Sequence, residues 1–476
     1  MGVADSMDSE LDSTLSQALA LCEPSAKDAS KITRIADKAR KLVLDYVSHT
    51  NNQQVKDVVF GGSFAKGTWL KGSADVDIFI KMNPTLSEDE FERIGIEIGR
   101  EALKKYKQYM RYSDHPYIEA FISGVRINLV PCYDVEKGLW KSAADRSPFH
   151  TEYIVNNFDE DKRKSARLLK KFLKAIGVYG AEIATAGFSG YVCEVMVQRY
   201  GSFVRVIEAM SNISEKQIVA ISDDYDKDIV KGFQSPMVII DPIDLRRNLA
   251  AAISPESVGK FVLASRAFMK RSSISFFTEN GNKKEKKTKG TGRSILLPNL
   301  LAIEFEHGKR SPDVIWGQLK RSMNAISKQL EIAGFTVIRS RCITDEERSA
   351  AFVFLLESTT LPSYIERKGP HIFRRKDSES FIDLNKNTAE TPMMWVDSDM
   401  RVAVLSKRKI TSAKEFARNI LLTAKIENSG VTKGIVSDIK ATNRKVQIYT
   451  GNERRLSGLV KKAVDDITTT ERLIFK

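Results

Sequence analysis

The sequence predicts a multidomain α+β chain, and three observations predict it. At 476 residues it has room for about three domains of ordinary size. Helical and strand periodicities alternate along it, with no internal repeat. Apolar residues make up 42% and charged residues 29%, an ordinary balance for a folded soluble protein that excludes wholesale disorder. No apolar run approaches the ~18 residues of a membrane span. The acidic start, MGVADSMDSELD, lacks the apolar core of a secretory signal. Gly2 to Ser6 matches the myristoylation pattern only formally.

Residues 1–28 hold one Lys and six acids and read as a mobile acidic lead-in, with a short helix at Leu15–Leu21. After Ser30, Ile32, Ile35, Ala36, Ala39, Leu42, Val43, Tyr46 and Val47 recur at helical spacing and give one apolar face. Val58–Phe60 is a short apolar run ending in Gly61-Gly62, a strand and then a turn. Asp75–Lys81 alternates as a second strand. Leu86–Tyr109 reads as helix. Tyr117–Ile122 and Val125–Val130 read as two strands joined at Ser123-Gly124. Together these make a head over residues 29–150, a helix on an antiparallel-leaning sheet.

Residues 151–275 read as a helical neck. Lys162–Lys174 carries seven Lys/Arg, with Leu168, Leu169, Phe172 and Leu173 as its apolar face. Gly187-Phe188-Ser189-Gly190 precedes another apolar helix through Tyr200, and 256–271 is helical again. Residues 276–294 contain the run NGNKKEKKTKGTGR (Asn280–Arg293) and read as a flexible basic loop, either a solvated insertion or a contact for RNA phosphates. Residues 295–365 follow a β-α-β-β order: Leu296–Glu306, Pro312–Gly334, Phe335–Arg341 and Ala350–Glu357. Residues 366–476 form a basic tail mixing strands (Met394–Val396, Val402–Leu405, Val446–Tyr449) with helices (Ser412–Ile426, Leu456–Ile467).

The net charge is +14, and residues 401–476 alone hold 17 Lys/Arg against 7 Asp/Glu. That excess suits a polyanionic partner, most simply nucleic acid, or else a solvated basic surface. The four cysteines, Cys22, Cys132, Cys193 and Cys342, are far apart. Without a CxxC pair or a disulfide framework, they argue against zinc and for a reducing compartment.

Chemistry concentrates in Gly61–Ile80, GGSFAKGTWLKGSADVDIFI. Gly62-Ser63 ends a strand at a tight turn, where N–H groups and a hydroxyl can meet phosphate oxygens, with Lys66 as a nearby cation. After eleven intervening residues beyond Ser63 comes Asp75-Val76-Asp77-Ile78. Residues two apart on a strand share a face, so Asp75 and Asp77 project together while Val76 and Ile78 face the core. Paired carboxylates can hold Mg²⁺. A phosphate turn beside them suits metal-assisted phosphoryl or nucleotidyl transfer. The alternative is two solvated aspartates beside an ordinary loop.

This joint pattern resembles the nucleotidyltransferase superfamily that includes DNA polymerase β. GSFAKGTWLKGS, HPYIEAF, VPCYDV, SAADRSPFH, LLKKFLKAIGVYGAE, GFSGYVCE and DPIDLRRNLAA, in this order from about residue 60 to 255, resemble the archaeal (class I) CCA-adding tRNA nucleotidyltransferases. The resemblance covers a little under half the chain strongly; the β-α-β-β module and basic tail resemble that family's body and tail more weakly. It implies a polymerase β-like head, a helical neck, a body and an RNA-binding tail. It implies addition of C, C and A to tRNA 3′ ends from CTP and ATP, through two Mg²⁺ ions, in the cytoplasm and without a membrane. A homodimer is left open.

By the same resemblance, Asp75 and Asp77 match the first two metal carboxylates. Gly62, Ser63 and Lys66 match the triphosphate turn, with Lys66 where an arginine can stand. His115 matches a residue near the nucleotide, and Ser147 and His150 match the threonine and histidine of a DRTPFH block. Lys170 and Tyr179 match groups holding triphosphate and sugar, and Arg247 matches the base-reading arginine. Taken alone, His115 and His150 also read as structural histidines, Lys170 as a solvated lysine, Tyr179 as core, and Arg247 as a surface cation or a partner of Asp241 or Asp244.

The pattern breaks at the third catalytic carboxylate and metal ligand, where this chain has Asn128. Asn128 brings no charge and cannot act as a base. Arg126 shares its face, and Asp134 lies six residues on, about 20 Å along a strand. Three readings follow: an active enzyme using Asp75 and Asp77, with Asn128 as weak ligand or helped by an acid such as Glu119; an engineered inactive variant; or a tRNA-binding paralogue without efficient catalysis. The first is favoured, because the triphosphate and base-reading residues are intact. A poly(A)- or oligoadenylate-type enzyme is the other alternative.

Overall fold

The computed structural model describes residues 2–112, 115–278, 295–442, 445–451 and 456–475. The chain divides into two compact units, residues 1–285 with 470–476, and residues 286–469.

The first unit begins with α1 (Gly2–Cys22) and α2 (Ala26–His49). Ser25 caps α2 by accepting from the Asp28 amide, and the Asp28 carboxylate accepts from Ser25 N–H in return. Then come β1 (Val55–Gly61), the short α3 (Gly62–Lys66), β2 (Asp75–Met82), α4 (Glu88–Ala102), β3 (Lys107–Tyr112), β4 (Pro116–Ile122) and β5 (Val125–Tyr133). The strands form one sheet in the order β1-β2-β5-β4-β3. Only the β2–β5 pairing is parallel. Helices α2 and α4 cover one face of it, burying Val76, Ile78, Ile80, Ala120, Ile127 and Leu129 against Ile35, Ala39, Phe91 and Ile98. Alternation along β2 therefore sends Asp75, Asp77 and Phe79 to the opposite face.

The neck follows: α5 (Arg146–Asn157), α6 (Glu160–Ala175), α7 (Gly190–Tyr200), α8 (Phe203–Ser211), β6 (Ile218–Val219), α9 (Lys227–Lys231), β7 (Val238–Asp241), β8 (Asp244–Asn248) and α10 (Pro255–Lys270). Its core is aromatic. Phe172 touches Phe203, Phe261, Phe268, Phe276 and Phe277 with ring centroids 5.7–6.2 Å apart.

In the second unit, β9 (Leu300–Glu306), α11 (Pro312–Ile332), β10 (Val337–Thr344) and β11 (Ser349–Leu356) give the expected β-α-β-β order. Next come β12 (Tyr364–His371), α12 (Arg375–Asn385), β13 (Met393–Val396), β14 (Arg401–Lys407), α13 (Ala413–Leu421), α14 (Lys433–Ala441), β15 (Gln447–Thr450) and α15 (Gly458–Thr468). The main sheet has the order β10-β11-β9-β15, and a smaller one β12-β14-β13. Leu301, Ile303 and Phe305 of β9 pack against α11, α13 and α14, while Leu300 and Ala302 pack against α15. Period-two alternation on one strand thus serves two helical layers.

Four expectations change. The acidic lead-in is helical: Ala18 and Cys22 lie in the neck core, with Leu11, Leu15 and Leu19 packed beside them. Its apolar residues recur at helical spacing, and the acids beside them obscure the pattern. The helix expected over Leu86–Tyr109 stops at Ala102, and Lys107–Tyr112 is instead the edge strand β3. The neck runs past residue 275, because Phe276 and Phe277 are fully buried in it. From residue 279 to 294 the expected basic loop lies outside the described residues. Last, residues beyond 365 are not a separate tail. Ala417, Leu421, Ile435, Ile439 and Ile448 complete the body core, and Leu473 of the terminal Arg472–Phe475 helix packs into the neck of the first unit.

Phe172→Ala should destabilise the first unit by about 3–5 kcal/mol, since five rings close on the deleted one. Denaturant unfolding followed by aromatic circular dichroism measures it; a loss under about 1 kcal/mol would contradict the packing.

Candidate active site

Register brings the candidate carboxylates into a row. Asp77 on β2 lies opposite Asn128 on β5, and Asn128 lies opposite Glu119 on β4. Directly opposed residues share a face, so all three project from the side that α2 and α4 leave open. Asp75 shares that face and lies opposite Arg126. On the other flank β1 ends with Gly61 opposite Asp77. Gly62 then turns the chain into α3 with φ of +62°. A Cβ on Gly62 would lie 1.9 Å from Asp77 Oδ2. Both the left-handed backbone and the close approach require glycine here.

A cavity of about 420 Å³ opens above this row. Nine of the twelve residues singled out from the sequence line it: Gly62, Ser63, Lys66, Asp77, His115, Asn128, Ser147, His150 and Lys170. Asp75, Tyr179 and Arg247 do not. Tyr117, Thr151, Tyr191 and Glu194 also line it, and sequence reasoning did not single them out. Three of these four fall inside the quoted blocks HPYIEAF and GFSGYVCE. Glu194 carried a further signal, as the one acid within the apolar stretch Val192–Val197.

Glu194 organises the phosphate end. Its Oε2 accepts from Lys66 Nζ at 2.9 Å and its Oε1 from Lys170 Nζ at 2.7 Å. The Thr68 hydroxyl also donates to Oε1, and Lys170 Nζ donates to the Thr68 carbonyl at 3.1 Å. All three charged side chains are buried, so Lys170 is no solvated lysine. Burial alone would push Glu194 up, but Lys170 and Lys66 outweigh it and lower its pKa to about 2. The cluster holds two ammonium groups against one carboxylate, which leaves one positive charge facing the cavity.

A second buried acid, Asp241, gathers further side chains of the site. It accepts from His150 Nε2 at 3.0 Å, Tyr191 OH at 3.1 Å, the Ile243 amide at 3.1 Å and Arg247 Nη1 at 3.2 Å. Burial pushes Asp241 up, and its hydrogen bond from His150 reverses that. Burial holds His150 below its ordinary value against the pull of Asp241. A neutral ring facing a carboxylate carries its proton on Nε2, because the carboxylate only accepts. Arg247 is thus the partner of Asp241, while Asp244 pairs with Arg146 at 2.9 Å. His115 Nε2 bonds the Pro131 carbonyl at 2.6 Å. Tyr179 sits at the edge: a Cβ on Gly190 would meet its hydroxyl at 3.2 Å and Lys170 Cε at 3.5 Å. Burial pushes its phenol up.

In the carboxylate row, Asn128 Nδ2 donates to Asp77 Oδ1 at 2.8 Å, and its own Oδ1 is buried without a hydrogen-bond partner. Burial pushes Asp77 up, with the Asn128 bond opposing. Burial also raises Asp75, opposed by Arg126, whose Nη1 lies 3.4 Å from Asp75 Oδ2. Glu119 is already engaged by Arg111, at 3.1 and 2.9 Å, and by Arg126 at 3.7 Å. Asp134 pairs with Lys81 at 2.6 Å and does not line the cavity.

Three family descriptions match: "Nucleotidyltransferase domain" over residues 40–157, "tRNA nucleotidyltransferase, second domain" over 164–278, and "CCA-adding enzyme, C-terminal domain" over 298–446. The "CCA-adding enzyme" of Saccharolobus shibatae is 35% identical over 397 residues, 83% of this chain and 91% of that protein. Those of Pyrobaculum aerophilum (34%, 85% and 92%) and Pyrobaculum neutrophilum (34%, 77% and 83%) are similar. The chain belongs to the CCA-adding enzyme family. Among solved structures, a Cid1 poly(U) polymerase bound to Mg 3′-dATP matches with a TM-score of 0.44 at 15% identity, over 56% of this chain and 97% of that one. Among the described residues no helix is long and apolar enough to cross a membrane.

Family membership implies a divalent cation, and the donor set of this family member can be tested against it. Asp75 and Asp77 supply charged, hard oxygens on one strand face, which fits a magnesium ion. Asn128 supplies no charge, and its N–H group faces Asp77.

Glu194→Gln should cost about 3–5 kcal/mol, because it strands buried lysines without their anion; thermal unfolding of the full chain measures it. Glu194 also sets a pH dependence. Its folded pKa of about 2 lies below the unfolded value near 4.3, so its stabilisation is complete above about pH 4.3 and is lost as pH falls towards 2. Acid unfolding of Glu194→Gln should be shallower than that of the unmodified chain in this window, and equal slopes would contradict the assignment.

Proposed function

We propose that this chain extends tRNA 3′ ends by C, C and A, using CTP and ATP and releasing pyrophosphate in the cytoplasm. One observation carries the reading: the Gly62-Ser63 turn, the paired lysines, Asp77 and Asn128 open into one cavity. In this reading Gly62, Ser63, Lys66 and Lys170 hold the triphosphate, with Glu194 fixing the aim of both ammonium groups. Asp75 and Asp77 hold magnesium, which when bound neutralises charge on the transferring phosphoryl group. The 3′-hydroxyl gives up its proton to solvent as its oxygen bonds the α-phosphorus, and the bond from the α-phosphorus to the oxygen bridging to the β-phosphate breaks, so that oxygen leaves with pyrophosphate. Tyr179 supports the sugar, and His115, Ser147 and His150 border the nucleotide. Arg247 reads the base with the guanidinium edge that Asp241 leaves free. The basic residues beyond 401 supply affinity for tRNA, which should weaken as salt rises.

Asn128 favours a second reading, tRNA binding with little transfer. One reaction separates the two. Mix tRNA ending at its discriminator base with Mg²⁺, CTP and ATP, and resolve products at single-nucleotide resolution. Growth by three nucleotides and then a stop supports the proposal. Bound tRNA without growth supports the second reading, and long homopolymers point to another nucleotidyltransferase. Asp77→Ala should lower transfer by about 100-fold or more and leave tRNA binding nearly intact, as filter binding would show.

A further inference from the structure

We infer that this chain takes up one divalent cation with its nucleotide, not two, that Asn128 sets that number, and that Arg126 weakens the hold on the one ion. The inference rests on the nucleotidyl-transfer reading and deepens it.

Two ions held side by side need several anionic oxygens between and around them. The row offers few. Of its three carboxylates, Asp75 and Glu119 lie within 3.7 Å of two guanidinium groups, Arg111 and Arg126, while Asp77 pairs with Asn128. One net negative charge remains among the five. Among the described residues no three His, Cys, Asp or Glu side chains gather as a ligand group.

The side of Asp77 towards β5 is where a second ion would share its carboxylate. The Asn128 amide is there instead, donating N–H to Asp77 Oδ1 at 2.8 Å. The positive end of that dipole faces the oxygen a cation would need. Turning the amide over would present Oδ1, which is buried and unpartnered, but would remove the hydrogen bond and add no charge. Arg126 closes the neighbouring position. It lies opposite Asp75 in register and reaches both Asp75 and Glu119, a fixed cation where a mobile one would otherwise be drawn. Asp75 and Asp77 remain for one ion, which enters on the triphosphate.

The test counts ions without relying on turnover. The full chain is titrated with Mn²⁺ in the presence of an ATP analogue carrying a methylene between its α and β phosphorus atoms, and bound Mn²⁺ is followed by electron paramagnetic resonance. The unmodified chain should bind one Mn²⁺ per chain. Asn128→Asp should bind two, with the dipolar broadening of neighbouring ions. Arg126→Gln should still bind one, about two- to fivefold more tightly, as expected for removing a half-exposed ion pair. Two ions on the unmodified chain overturn the inference while leaving the transfer reading intact. One ion on Asn128→Asp removes Asn128 as the cause. No nucleotide-dependent Mn²⁺ on any variant overturns both readings.

Discussion

The first unit depends on one buried carboxylate. Glu194 stands on α7, Lys170 on α6, and Lys66 and Thr68 come from the turn that follows β1. The cluster therefore ties the head to two helices of the neck through groups that cannot be left unpaired. An isolated buried charge costs several kcal/mol, so each member enforces the presence of the others. The turn carrying Gly62 and Ser63 is held between this cluster and Asp77, and neither head nor neck alone would fix it. Apolar packing supplies most of the folding energy on both sides, but the salt cluster specifies how the turn is aimed.

The parallel β2–β5 pairing is the second constraint. A strand slipped by one residue would turn Asp75 and Asp77 into the core and bring Val76 and Ile78 out. Burial of Val76, Ile78 and Ile80 under α2 and α4 excludes that slip. The same register sets Asn128 beside Asp77 and Arg126 beside Asp75, so two positions on β5 decide the charge of the row.

Much of this was legible before the structure. Two-residue spacing placed Asp75 and Asp77 on a common face, and the glycines marked the turn. Lys66, Lys170 and His150 were chosen by resemblance to known blocks, and the cavity gathers them. What stayed hidden was partnership. Glu194 stood in an apolar stretch and Asp241 near Arg247, but nothing local shows that residues 128 and 91 positions away will reach them. The expected helix runs on to Tyr109, into the first half of the edge strand β3, because KQYMRY carries no apolar alternation: an edge strand exposes much of both faces and gives up the pattern that identifies a half-buried one. The terminal segment misled for a related reason. Its basic surface suggested a separate tail, although Ala417, Leu421, Ile435 and Ile439 were spaced to cover the body sheet.

The three polar networks also set the field across the cavity. At the phosphate end two lysines share one glutamate, leaving a single positive charge. At the row, Asp75 and Glu119 pair with Arg111 and Arg126 while Asp77 pairs with neither, leaving a single negative charge. A third network has Asp241 shared by His150, Tyr191 and Arg247. In a partly enclosed cavity such opposed charges act more strongly than in bulk water over short distances. On the proposed reading, a nucleotide carrying one cation enters with its triphosphate towards Lys66 and Lys170 and its cation towards Asp75 and Asp77. The reverse orientation would set phosphate oxygens against the carboxylates. A third aspartate at position 128 would draw cations more strongly but would also repel Asp77 at hydrogen-bond distance. Asn128 removes that repulsion and holds Asp77 in place, so the resting site is ordered by a hydrogen bond where a three-carboxylate row would need bound metal to order it.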